Sequence, residues 1–77
     1  MRRVQELLAS VMSCNVDSLP DALTPFKEIE GWDSLKHVML VVGLEGTFQV
    51  SLSADDIQKM ESLVDVCRVL EERGIHE

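Results

Sequence analysis

Val4, Leu7, Leu8, Val11 and Met12 recur at i, i+3, i+4, i+7 and i+8, the period of a helix with one apolar face. The spacing predicts a first helix over roughly residues 3–13. Leu63, Val66, Cys67 and Leu70 repeat the pattern near the other end, after Ser62 as N-cap with Asp65 at the capping-box position. This predicts a last helix over about residues 63–73, stopped by Gly74 in the left-handed conformation. Asp33 is a good cap for a second helix running from Ser34 to about Phe48, its carboxylate accepting from the amide of Leu35 or Lys36. Ser53 caps a short third helix over about residues 54–60, with Asp55 and Asp56 in the first turn, where the helix dipole favours acids. Strand-like alternation is confined to Phe48-Gln49-Val50-Ser51-Leu52, which reads as an extended connector. Between the first two helices, residues 15–32 form a long loop punctuated by Pro20, Pro25 and Gly31. The expected fold is all-α: a small bundle of four helices, three major and one short, forming one domain over residues 1–77.

Composition narrows the function. Seventy-seven residues suffice for one small domain and leave little room for a deep, water-free pocket. Seven basic residues against fourteen acidic ones, net −7, argue against nucleic acid and for partners with positively charged surfaces. The uncharged stretch Val38–Leu44 is far too short to span a membrane, and Glu6 interrupts any signal-peptide apolar region after Arg2-Arg3. A monomer in the cytoplasm is expected.

The second helix differs from the others. On a helical wheel Leu40, Val41, Leu44 and Phe48 gather on one side, while Leu35, Met39, Val42 and Gly46 gather on the other. A helix in so small a bundle buries one face. The second stripe is therefore either exposed for a partner or covered by Leu23, Phe26 and Ile29 of the long loop. Ser34, the first residue of this helix, lies where unpaired amides and the dipole favour a phosphate group, although a serine there is more often simply part of the cap.

Other constellations are weaker. Cys14 and Cys67 fall at apolar-periodic positions and read as buried free thiols. Together with His37 and His76 they have no metal-ligand spacing, and no metal site is expected. Ser34 and His37 stand at i, i+3, which invites a Ser–His hydrolase reading. The Gly-x-Ser-x-Gly elbow and its preceding strand are missing, however. A half-buried, hydrogen-bonded His37 is the expectation.

Gly31-Trp32-Asp33-Ser34-Leu35 resembles the phosphopantetheine attachment motif of acyl carrier proteins, whose core is Asp-Ser-Leu. The resemblance extends along nearly the whole chain, through Leu44-Glu45 to Phe48, Leu52-Ser53-Ala54-Asp55-Asp56-Ile57 and Ser62-Leu63-Val64-Asp65-Val66. It implies a carrier rather than an enzyme. Ser34 would receive 4′-phosphopantetheine from coenzyme A through a separate phosphopantetheinyl transferase, and Asp33 and Leu35 would flank the attachment point. Acyl groups would then ride as thioesters between acyl-loading, acyl-transferring and condensing enzymes. By matching position, the docking face would comprise Leu35, Met39, Val42, Glu45, Gly46, Asp55 and Asp56. Carriers of primary fatty acid synthesis often have acids where this chain has Lys36, Met39 and Gly46. A discrete, free-standing carrier of a specialised polyketide or fatty-acyl pathway is the expectation. An aminoacyl or peptidyl carrier of a nonribosomal pathway, or an unmodified acidic interaction module, is the alternative.

Overall fold

A computed structural model describes residues 2–75. The elements are α1 (Arg2–Met12), α2 (Ser34–Phe48), α3 (Ala54–Lys59) and α4 (Leu63–Glu72), with 3-10 turns at Val16–Ser18 and Phe26–Glu28. The described residues contain no strand, and the chain is the expected all-helical bundle with one short helix. No helix among them is long and apolar enough to cross a membrane.

Local chemistry starts each helix after the loop where the capping residues stand. Asp33 accepts from the Lys36 amide at 2.9 Å. At α3, Ser53 Oγ accepts from the Asp56 amide while the Ser53 amide donates to Asp56 Oδ2, so two orphan amides are satisfied reciprocally. At α4, Ser62 Oγ accepts from the Asp65 amide at 3.4 Å, the forward half of such a box. The Asp65 carboxylate itself lies 3.6 Å from Arg68. Gly74 has φ +82, and the amides of Gly74 and Ile75 reach back to the carbonyls of Glu71 and Leu70. These two bonds form a Schellman closure, which ends α4 where the glycine predicted it.

The core is built from Val4, Leu8 and Val11 of α1, Leu40, Val41 and Leu44 of α2, and Leu63, Val66, Val69 and Leu70 of α4. Phe26 and Met60 enter it from the connections. The long loop is pinned at two places by backbone bonds. The Phe26 amide donates to the Glu61 carbonyl and the Val64 amide to the Ala22 carbonyl. Both pins tie the loop to the α3–α4 corner. The loop therefore does not cover the outer side of α2, and that alternative falls. Phe26 is in the core, Ile29 packs against it, and Leu23 points to water.

Cys14 requires a correction. Ser13 adopts φ 56, which ends α1 and takes Cys14 out of the helical phase, so Cys14 is exposed and only Cys67 is partly buried. His76 lies outside the described residues, and no group of His, Cys, Asp or Glu among the described residues could hold a metal ion.

Candidate functional site: the start and outer face of α2

Ser34 is the first residue of α2 and is exposed. The Asp33 backbone is extended, and its carboxylate is committed to the Lys36 amide. The Ser34 and Leu35 amides precede the first i→i−4 bond of the helix, which the His37 amide makes to the Asp33 carbonyl. Positive ends of peptide dipoles thus converge beside the hydroxyl of an exposed residue. A phosphodiester joined to Ser34 Oγ would fit there without displacing core atoms.

Behind this corner lies an aromatic nest. The Trp32 and Phe26 rings stack with centroids 4.8 Å apart. The His37 ring stands edge-on to both, at 6.4 Å from Phe26 and 6.0 Å from Trp32. His37 Nε2–H donates to the Ile57 carbonyl at 3.2 Å, tying α2 to α3. This is the half-buried, hydrogen-bonded histidine expected from the wheel. Phe26, Trp32, His37, Ile57 and Met60 line an open cleft of about 380 Å³. Sequence periodicity missed this nest because Phe26 and Trp32 belong to the irregular loop.

The outward side of α2 is apolar and uncovered. Leu35 is 64% exposed, Met39 43% and Val42 61%, with Gly46 exposed on the same side. Val38, 55% exposed, widens the stripe. It was missed because the i, i+4, i+7, i+11 pattern steps over it. No charged side chain stands between Lys36 on one edge of this side and Glu45 on the other. Gly46 has nothing within 4 Å of where a Cβ would be. A mid-helix glycine costs about 0.5–1 kcal/mol relative to alanine, and nothing inside this chain requires one here.

The acids divide differently from expectation. Asp55 is exposed. Glu45 is half-buried, and its carboxylate accepts from the Leu52 amide at 2.9 Å. Asp56 is a correction. It is buried, held in the α3 capping box and ion-paired to Arg73, so it does not belong to an exposed face. The Ser53 amide foremost, helped by the Arg73 guanidinium, holds its carboxyl below the usual carboxylate range, against the opposing pull of burial. First-turn acids are ordinarily solvated. The Ser53-x-x-Asp56 spacing was the signal that this one turns inward.

The family described as the phosphopantetheine attachment site matches this chain over residues 2–70, from the start of α1 to the last buried residue of α4. The match takes in every element that builds the corner around Ser34. It is a family of carrier domains whose members work with a phosphopantetheinyl transferase and with the enzymes of a pathway. The chain belongs to this phosphopantetheine-attachment family and is a carrier protein, of the kind that bears a covalently attached 4′-phosphopantetheine.

Proposed function

We propose that Ser34 is the attachment residue and that the outer side of α2 is the surface on which partner enzymes dock. The observation that carries the first half is an exposed serine hydroxyl at the first position of α2, directly after a cap whose carboxylate is already engaged. The arm's terminal thiol supplies the chemistry, holding acyl groups as thioesters. The chain's own contribution is positional. Asp33 fixes the helix start, the first-turn amides favour the phosphodiester, and the bundle keeps the attachment point at a rigid corner. His37 is held toward α3 by the donation of its Nε2–H to the Ile57 carbonyl. The activating base belongs to the transferase, and this chain is its substrate.

The second half is supported by the uncovered Leu35, Val38, Met39 and Val42, and by Gly46, whose missing side chain no internal contact explains. Asp55 adds an exposed acid on α3, and Glu45 adds the part of its charge that the Leu52 amide leaves available. A surface that is apolar at its centre differs from the acid-lined helix expected of primary fatty acid carriers. It favours a dedicated partner set, as in a discrete carrier of a specialised polyketide or fatty-acyl pathway. Residues 1–77 acting as one such domain is part of this proposal.

The test is intact mass after incubation with coenzyme A, magnesium and a broad-specificity phosphopantetheinyl transferase. The chain is expected to gain one arm, and Ser34→Ala none. A chain that gains nothing in either form is an unmodified interaction module. Ester hydrolysis abolished by His37→Ala would make it an enzyme.

A further inference from the structure

Building on Ser34 as the attachment residue, we propose that Lys36 is a recognition residue for the transferase that loads this chain. The transferase meets it with a carboxylate on the rim of its docking surface.

Lys36 holds the third position of α2, after the cap Asp33. The same position is Asp56 in α3, after Ser53, and Asp65 in α4, after Ser62. An acid suits that place, because it complements the helix dipole and can close a capping box. A cation there works against the dipole, and α2 has no acid in its first turn to offset it. The fold therefore gains nothing from the charge of Lys36. Nor does a neighbour use it. Arg2, Arg68 and Arg73 each pair with an acid of the chain, whereas the half-exposed Lys36 makes no ion pair among the described residues.

Position adds to charge. On the wheel Ser34 and Lys36 flank Leu35 at about 100° to either side, and they lie about 3 Å apart along the axis. An enzyme that brings its active site to Ser34 Oγ and seats Leu35 has Lys36 at the opposite rim of its footprint. Leu35, Val38, Met39 and Val42 give that footprint an apolar centre. Glu45, the acid of α2, stands about 14 Å further along the axis than Lys36. Its carboxylate is engaged by the Leu52 amide, as that of Asp33 is by the Lys36 amide. Beside the attachment point, the charge left for a partner is thus a cation, in a chain of net charge −7. A transferase with a basic rim here would set like charge against like, while one presenting an aspartate or glutamate gains both on-rate and selectivity. Acids elsewhere on the chain still draw basic surface toward it, so the enzyme combines a basic periphery with a carboxylate near the mouth that receives Ser34.

The experiment measures arm transfer from coenzyme A by the phosphopantetheinyl transferase of the chain's native host, comparing the full chain with Lys36→Gln and Lys36→Glu. Lys36→Glu is expected to raise KM about tenfold or more at low salt, with kcat within about twofold and Lys36→Gln in between. The gap should narrow at about 0.5 M salt, where exposed charges are screened. Replacing the responsible Asp or Glu of the transferase by Lys should restore loading of Lys36→Glu and impair that of the unaltered chain. Urea midpoints control for folding: with an acid at the third position, Lys36→Glu should be at least as stable as the parent. An unchanged or lower KM for Lys36→Glu would overturn the proposal. So would an effect confined to kcat, because the charge would then act on the reaction at Ser34 rather than on docking. A raised KM that no charge reversal among the transferase's acids rescues would overturn the carboxylate. An arm gained by none of the three forms would overturn the Ser34 reading and this proposal with it, an outcome distinct from loading that ignores residue 36.

Discussion

Gly43 faces Leu7 across the α1–α2 contact, so closely that a Cβ at position 43 would lie 3.0 Å from Leu7 Cδ2. Gly46, one turn further along the same helix, faces open space. The two glycines should therefore answer differently to alanine. Gly46→Ala is expected to stabilise the chain by about 0.5–1 kcal/mol, the ordinary helix-interior gain. Gly43→Ala should gain less or lose stability, because Leu7 has to give way. Urea midpoints of the two variants check this, and equal gains would show that α1 and α2 do not meet closely at this point.

Asp33 is expected to be both a structural and a functional residue. Asp33→Ala removes the bond to the Lys36 amide and should cost about 0.5–2 kcal/mol. It should also slow transfer of the arm to Ser34, because the first turn presenting the hydroxyl frays. Asp33→Asn keeps a cap acceptor and should retain most of the stability. Denaturation curves and the rate of mass gain are the measurements. Loading of Asp33→Ala at the unaltered rate would reduce Asp33 to a cap.

Met39→Glu and Val42→Asp replace exposed side chains, so each is expected to shift stability by no more than about 1 kcal/mol. Each should nevertheless weaken thioester transfer to and from partner enzymes, since a charge would have to be desolvated at the contact. Thermal melts paired with transfer assays separate the two effects. A large drop in melting temperature would mean that these side chains are packed rather than free.

The acid limb of stability should carry the signature of Asp56. Its carboxyl titrates below the usual range when folded, so the unfolded chain binds a proton more readily. The resulting stabilisation is complete above the ordinary carboxylate value of about 4 and fades as pH falls through the lower folded value. Asp56→Asn, which can still accept from the Ser53 amide, is expected to flatten this part of the curve while lowering stability at neutral pH. Unfolding midpoints measured between about pH 2.5 and 7 test the expectation, and parallel curves would contradict it.

Helix starts were legible because their signals are local. Asp33, Ser53 and Ser62 act on amides two or three residues away, and Gly74 ends α4 in the same short-range manner. The outer stripe of α2 was legible for a related reason, since a single helix fixes which side chains share a side. Whether the stripe was covered depended on the loop, whose path is set by bonds from Phe26 to Glu61 and from Val64 to Ala22, contacts that no periodicity reveals. Cys14 was misplaced because Ser13 turns left-handed, a conformation that non-glycine residues adopt only when their surroundings impose it. Gln49 does the same at the end of α2, with φ 54, and nothing in its identity announces it. Asp56 was read as solvated because its cation stands seventeen residues away, beyond any local window.

The charge-free seat on α2, set in a body of net charge −7, divides the work of recognition between two kinds of force. Long-range attraction would gather a partner with a basic surface toward the molecule and would weaken as ions screen it. On the proposed docking face, the grip that follows would be made by Leu35, Val38, Met39 and Val42, which added salt leaves intact. For such a shuttle, raising ionic strength would slow the arrival of each client while leaving its dwell time nearly constant, so traffic could be throttled without altering how long any one stop lasts.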